Sequence, residues 1–221
     1  MTARQLPERP NLDQLKRQAK DLLHAAHAHD AGALTRFRIL PAFARHSDSS
    51  LERATLGLHD AQSVIAREHG FDSWNALRER VEELTLEFAA AAAAFVEAAT
   101  DRRTDRAERL LELHPGMARA NFHAALVVGD AESVERRLAE DPRRARERGG
   151  TRGWEPLHHV CYTSIGARSE ARERGLIAIA RRLIALGADP KLTRSAHEVK
   201  RSHVNLGRWQ RIPKSRDLAI G

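Results

Sequence analysis

The sequence is poor in the residues that build disulfide frameworks, metal clusters and membrane spans. One cysteine, Cys161, occurs in 221 residues, which excludes an internal disulfide and any multi-cysteine metal cluster. The alanine-rich stretch 88–96 is closed by Glu87 and Glu97, so no apolar run reaches the roughly 18 residues that a membrane span needs. The N-terminus has no apolar segment of the secretory type. We therefore expect a cytoplasmic protein without membrane contacts.

Motifs of catalysis and cofactor binding are also missing. Glycine-rich phosphate loops, nucleophile elbows and paired metal-ligand motifs do not occur. Cys161 lies in a short apolar stretch with no local base, so we interpret it as a buried small hydrophobe. His24, His27, His29 and Asp30 do not share one helix face, and this favours a histidine-rich helix end over a metal site. We expect no enzyme activity, no cofactor, no metal ion and no small-molecule ligand.

Positive charge is concentrated at the C-terminal end of the chain. The formal net charge is +7, and residues 191–221 hold eight basic residues against two acidic ones. Residues 1–190 are therefore close to neutral, which argues against a general nucleic-acid-binding role for the body of the protein. The segment 191–221 has no apolar stripe longer than one helical turn, and we predict a basic, irregular tail.

Apolar residues recur at helical spacing almost throughout, and β-branched residues are scarce, so the sequence predicts an all-α fold. Residues 1–86 form a helical lead segment whose first helix opens at Asn11. The serine-rich segment 41–50 is predicted as a loop. Asp72 or Ser73 is the predicted cap of the last lead helix. Further helices are predicted over these segments: 31–37, 60–68, 74–84 and 85–100.

An internal repeat follows the lead segment. Residues 95–118 align without a gap on residues 122–145, and seven of the 24 positions are identical. The repeated unit reads as two helices joined by a turn, the first beginning at Phe95 or Phe122 and the second burying Leu111 or Leu138. The identical positions are Phe95/Phe122, Ala98/Ala125, Glu108/Glu135, Arg109/Arg136, Leu111/Leu138, Pro115/Pro142 and Ala118/Ala145.

A third copy of this unit begins near Trp154 and ends at Pro190. Leu157 and Leu183 take the places of Phe122 and Leu138, with ten additional residues between them. The additional residues lie around positions 163–175 and are polar, so we predict a surface insertion there. Leu138 and Leu183 are predicted core residues, and their replacement by alanine is expected to cost about 2–5 kcal/mol.

The third copy resembles the ankyrin repeat at both of its ends. Glu155-Pro156-Leu157-His158 matches the start of the ankyrin pattern, and Leu186-Gly187-Ala188-Asp189-Pro190 matches its end. Phe122-His123 and Gly129-Asp130 match it in the second copy, whereas the first copy is degenerate. The resemblance covers about residues 87–190 and implies an ankyrin-like helix-turn-helix solenoid of about three repeats.

The lead segment is similar to the helical segment that precedes the repeats in many bacterial ankyrin-repeat proteins. This likeness rests on these residues: Leu6-Pro7 with Arg9-Pro10-Asn11-Leu12, Ala19-Lys20-Asp21-Leu22-Leu23, and residues 61–71 with Ser73-Trp74 and Leu77. The ankyrin resemblance further implies that His123 and His158 hydrogen-bond backbone groups between neighbouring turns, and that the protein binds a partner protein through a concave face and hairpin fingers.

The strongest candidate for partner binding is the segment 143–154, which joins the second and third copies. It carries five arginines against one acidic residue, and arginine and tryptophan are frequent at the energetic centres of interfaces. The alternative is a solvated loop with Trp154 packed against the repeats. An acidic protein partner fits this charge. The candidate binding residues are Arg143, Arg144, Arg146, Arg148, Arg152 and Trp154.

A second hypothesis is nucleic-acid binding. Residues 60–84 have the outline of a helix–turn–helix, but Glu79, Glu82 and Glu83 would oppose DNA phosphates. The basic tail 191–221 could instead hold nucleic acid without sequence preference.

Overall fold

The computed structural model describes residues 4–190, in which helices are joined by turns and no strand occurs. The predicted all-α class is therefore confirmed. The chain divides into two compact units, Met1–Leu86 and Glu87–Gly221. The basic tail predicted at 191–221 lies outside the described residues. Within the described part, no helix has both the length and the apolar character needed to cross a bilayer.

The described part of the first unit contains five α-helices and a 3-10 turn at Phe37–Ile39. The core of this unit lies between α1 and α4, where Ala19 and Val64 are completely buried. Arg36 of α2 binds both carboxylate oxygens of Glu68 at the end of α4, at 2.7 and 2.8 Å. The helices are α1 (Leu12–His27), α2 (Ala31–Arg36), α3 (Asp48–Glu52), α4 (Leu58–Glu68) and α5 (Trp74–Thr85).

Side-chain caps start four of these five helices, α1, α2, α3 and α5. The Asn11 carboxamide oxygen accepts hydrogen bonds from the Asp13 and Gln14 amides at the start of α1, as the sequence predicts. Ser73, rather than Asp72, caps α5. The prediction of a loop over residues 41–50 is wrong in its last part, because the Ser47 hydroxyl caps α3 and this short helix buries Leu51.

The described part of the second unit, residues 87–190, is built mainly from three helix pairs. The two helices of each pair pack against each other, and the second pair lies between the first and the third. A short helix α8 (Met117–Ala120) leads into the second pair. The first pair is α6 (Phe88–Thr100) with α7 (Thr104–Leu113), the second is α9 (Phe122–Val128) with α10 (Ala131–Glu140), and the third is α11 (Pro156–Tyr162) with α12 (Glu170–Ala185).

The first two helix pairs keep the register of the sequence repeat at their turns. Helices α7 and α10 have ten residues each and begin 27 positions apart. The turn before each helix contains a residue with positive φ, Arg102 at 62° and Gly129 at 82°, also 27 positions apart. The repeat seen in the sequence is therefore a repeat of backbone conformation at this turn.

Two details of the predicted repeat unit are wrong. Helix α6 begins at Phe88 rather than Phe95, so Phe95 is a fully buried mid-helix residue, whereas Phe122 starts α9 and is half-buried. In α7 the fully buried leucine is Leu110, and Leu111 is half-buried. By contrast, Leu138 and Leu183 are both completely buried, which confirms their prediction as core residues.

The insertion of the third helix pair, predicted at the surface, is exposed in part and buried in part. Thr163, Ile165 and Gly166 are buried, and residues 170–175 extend the start of α12. The Thr163 hydroxyl donates to the Val127 carbonyl at 2.8 Å, at the end of α9. These buried contacts arise because the polar residues of the insertion satisfy backbone carbonyls of the earlier helices.

Contacts from the insertion reach the first helix pair as well. The Ser164 amide and hydroxyl both donate to the Ala99 carbonyl near the end of α6, each at 2.8 Å. Arg172 on α12 pairs with Glu108 on α7 through both carboxylate oxygens. The third helix pair is thereby linked directly to the first.

Candidate functional site

The candidate arginine segment forms a short 3-10 turn and then a tight hairpin. The turn spans Pro142–Ala145. The hairpin, residues 149–154, is closed by the Gly149 amide, which donates to the Trp154 carbonyl at 3.0 Å. Gly150 and Gly153 have positive φ values of 71° and 60°, a conformation that glycine adopts without steric cost. The glycines therefore give the segment its hairpin shape.

Four of the predicted binding arginines, Arg143, Arg144, Arg146 and Arg148, precede this hairpin. Arg143 and Arg148 are exposed and lie near acids, with 3.3 Å between Arg143 Nε and Asp141 Oδ1 and 3.8 Å between Arg148 Nε and Glu155 Oε1. A hydrogen bond from the Arg143 amide lowers the pKa of the Asp141 carboxyl. Arg146 is exposed and Arg144 half-buried. Among the described residues, neither Arg144 nor Arg146 forms a salt bridge.

Arg152 and Trp154 belong to the hairpin itself, and their side chains contact each other. The Arg152 guanidinium is 4.9 Å from the centre of the Trp154 ring, a cation–π arrangement. Arg152 Nη2 also lies 3.3 Å from Asp101 Oδ1, at the end of α6. The Trp154 ring is half-buried and packs on Tyr162, with 5.3 Å between ring centres. These contacts agree with the alternative given in the sequence analysis, in which Trp154 packs against the repeats instead of binding a partner.

Two histidines lie beneath the hairpin. The rings of His123 and His159 are 5.0 Å apart, and His159 Nε2 lies 3.3 Å from the Gly149 carbonyl oxygen. Burial lowers the pKa of His159 to about 4 and also lowers that of His123. The hairpin approaches so closely that a Cβ on Gly149 would lie 2.8 Å from His123 Nε2. The fully buried histidine of α11 is thus His159, whereas His158, chosen from the motif, is half-buried.

A groove of about 310 Å³ runs beside the hairpin. Small apolar side chains of α6 and polar groups at the start of α9 and in the hairpin form its walls. Sequence reasoning missed this groove, because single alanines give no sign of the space they leave between helices. The lining residues are Ala89, Ala92, Ala93, Val96, Asn121, His123, Gly150 and Thr151.

Neither metal binding nor nucleophilic catalysis is favoured by the remaining candidates. His27 Nε2 lies 3.1 Å from the Leu56 carbonyl oxygen, and no group of three metal-ligating side chains occurs within residues 4–190. Cys161 is half-buried rather than fully buried, and its surroundings raise the thiol pKa to about 12. A thiol with that pKa stays protonated near neutrality and is a weak nucleophile.

The alternative nucleic-acid site, residues 60–84, consists of most of α4 and α5. On α5, Arg78 Nε lies 3.7 Å from Glu82 Oε1 and Arg80 Nη1 lies 3.2 Å from Glu83 Oε2. The arginines that would contact DNA phosphates are therefore paired with glutamates, which argues against DNA binding by α5.

The chain was compared with protein-family models, curated proteins and solved structures, and none of them matched. The case for a function therefore depends on the site itself.

Proposed function

We propose that residues 87–190 form an ankyrin-like stack of helix pairs that binds a partner protein and performs no catalysis. Three features support this proposal. Helices α7 and α10 follow the same kind of turn in the same register. A hairpin links the second and third helix pairs. A groove runs between this hairpin and the first helix pair.

The observation that carries the proposal is the accumulation of positive charge on the segment before α11. It holds five arginines against Glu147 as its one acidic residue. Neither Arg144 nor Arg146 forms a salt bridge within residues 4–190; Arg144 contributes to lowering the pKa of the Asp141 carboxyl, and Arg146 is exposed. Arginine at such a position provides several N–H donors for carboxylates of a partner. An acidic protein surface fits this site best.

Affinity capture from the source cell tests the proposal. The tagged full chain is compared with the double variant Arg144→Ala and Arg146→Ala, and captured proteins are quantified by mass spectrometry. We expect at least one protein to be lost with this variant, while the melting temperature stays unchanged. A matched control removes the same charge elsewhere, through Arg136→Ala and Arg174→Ala, whose exposed ion pairs contribute little to stability. Equal capture by both double variants would contradict the proposal.

Nucleic-acid binding remains the alternative, and a gel shift separates its two forms. Binding that persists in a chain ending at Pro190 would favour the helices α4 and α5. Binding that is lost with residues 191–221 would favour the basic tail. No shift with either chain would remove the alternative.

A further inference from the structure

Arg152 has unused capacity to bind an anion. A guanidinium offers five N–H donors and prefers two parallel hydrogen bonds to one carboxylate. Arg152 makes a single hydrogen bond to a carboxylate, from Nη2 to Asp101 Oδ1 at 3.3 Å. Its Nε is buried and has no hydrogen-bond partner among the described residues. The contact with Asp101 therefore uses only part of the hydrogen-bonding capacity of Arg152.

The pair formed by Arg152 and Asp101 can exchange for another carboxylate. The side chain of Asp101 is 59% exposed and that of Arg152 is 28% exposed. Because Asp101 is exposed and the contact is a single one at 3.3 Å, a competing carboxylate gives up little free energy by replacing Asp101. The Trp154 ring, on which the guanidinium rests, keeps Arg152 in place when Asp101 is displaced.

The groove lies beside the hairpin that carries Arg152, although neither Arg152 nor Asp101 lines it. Thr151 lines the groove and directly precedes Arg152, and Val96 lines it about 7.5 Å along α6 from Asp101. An extended peptide advances about 3.3 Å per residue, so two or three residues span that distance. The alanines of the floor leave room for small apolar side chains, and the arginines of the hairpin segment disfavour a cationic peptide.

We propose that Asp101 occupies the position on Arg152 that a partner's carboxylate takes in the complex. An extended acidic peptide binds in this groove, and its carboxylate displaces Asp101 from the ion pair with Arg152. The peptide places small side chains over Ala89, Ala92 and Ala93 and a carboxylate on Arg152. This inference rests on the proposed protein-binding function and names the chemistry of the partner. Asp101 then limits the affinity of the protein for such a peptide, because the peptide's carboxylate must compete with Asp101 for Arg152.

Fluorescence anisotropy with a defined probe tests this competition. The probe is a fluorescein-labelled peptide of four Glu-Ala repeats, titrated with the full-length protein. Asp101→Asn is expected to tighten binding by about two- to five-fold, the range that corresponds to loss of an exposed ion pair. Arg152→Gln is expected to weaken it by about ten-fold, since it removes a charged hydrogen bond. Circular dichroism verifies that each variant is folded.

Two matched controls separate this site from general charge attraction. Asp105→Asn changes the net charge by the same amount but releases Arg168 instead of Arg152. Ala89→Gln fills the groove and is expected to weaken binding several-fold, whereas Ala90→Gln alters an exposed neighbour that does not line it. Equal effects of Asp101→Asn and Asp105→Asn, or of the two glutamine variants, would overturn the inference.

The outcome is distinguishable from that of the proposed function. Suppose that capture of a cellular protein depends on Arg144 and Arg146 but is unchanged by Asp101→Asn and Arg152→Gln. That result would support the protein-binding function and contradict the proposed role of Asp101. Absence of saturable binding of the Glu-Ala probe would also overturn the role of Asp101, whatever the capture experiment shows.

Discussion

Arg102 holds a backbone conformation that glycine holds at the corresponding turn of the second helix pair. Its φ of 62° places a residue with a Cβ in the left-handed region, which costs about 1–2 kcal/mol for residues other than glycine. We expect Arg102→Gly to raise the free energy of unfolding by about 1 kcal/mol, after the greater entropy of glycine in the unfolded chain is included. Urea denaturation measures the change.

The control for this prediction is Arg102→Ala. Alanine removes the same exposed side chain but keeps a Cβ in the left-handed region, so no comparable gain is expected. A gain of the same size in both variants would show that the arginine side chain, and not its backbone, carries the cost.

His159 makes the stability of the second unit dependent on pH. Its pKa is about 4 in the folded protein and 6.5 in an unfolded chain, because burial disfavours the imidazolium. The unfolded state therefore takes up a proton first, and stability is lost as the pH falls from about 6.5 to about 4. The loss from this group is about 3 kcal/mol, and none is expected above pH 7.

Denaturation of the full chain at a series of pH values measures this loss. We expect His159→Gln to flatten the profile between pH 4 and 6.5, whatever its effect on stability at neutral pH. His24→Gln, which changes an exposed histidine, should leave the profile as it is. A profile that keeps its slope in His159→Gln would show that other groups cause it.

At the scale of helices, the start of an element was predictable where a cap precedes an apolar stripe. Asn11 before α1 and Ser73 before α5 are examples. Helix α3 was missed, because the serine run around Ser47 favours a loop and a cap equally. The identities of the repeat predict Leu111 as the buried leucine, but they do not show that the buried position of α7 is Leu110, one residue earlier than the equivalent of Leu138 in α10.

The candidate site was predictable in its charges but not in its shape. The arginines and Trp154 are visible in the sequence, but the contacts of the tryptophan ring are not. The groove, the ion pair with Asp101 and the burial of His159 depend on how three helix pairs meet. Such contacts join residues far apart in the sequence, and local patterns carry no record of them.

The insertion also brings the backbone of α12 close to the turn of the second helix pair. A Cβ on Gly175 would lie 1.9 Å from the Gly129 carbonyl oxygen, so α12 crosses this turn at a distance that only glycine permits. We expect Gly175→Ala to lower the free energy of unfolding by about 3 kcal/mol. Gly116→Ala is the control, since its Cβ would meet nothing within 4 Å, and it should change stability by less than about 1 kcal/mol. Thermal denaturation compares the two.

For the molecule as a whole, the link between the third and first helix pairs changes how the second unit should unfold. In a simple repeat array each unit contacts only its neighbours, so the ends open independently. Here Arg172 pairs with Glu108 on α7, and Ser164 donates to the Ala99 carbonyl at the end of α6. Opening the third helix pair therefore breaks contacts of the first, and we expect the three pairs to unfold together.

Hydrogen exchange on a variant with a weakened third helix pair tests this cooperativity. Leu183 is completely buried on α12, and Leu183→Ala is expected to lower the free energy of unfolding by about 2–5 kcal/mol. If the pairs unfold together, amides of α7 should lose protection by the same free energy as amides of α12. Leu58→Ala, an exposed site on α4, should leave both unchanged. Faster exchange confined to α11 and α12 would mean that the ion pair between Arg172 and Glu108 does not couple the ends of the unit.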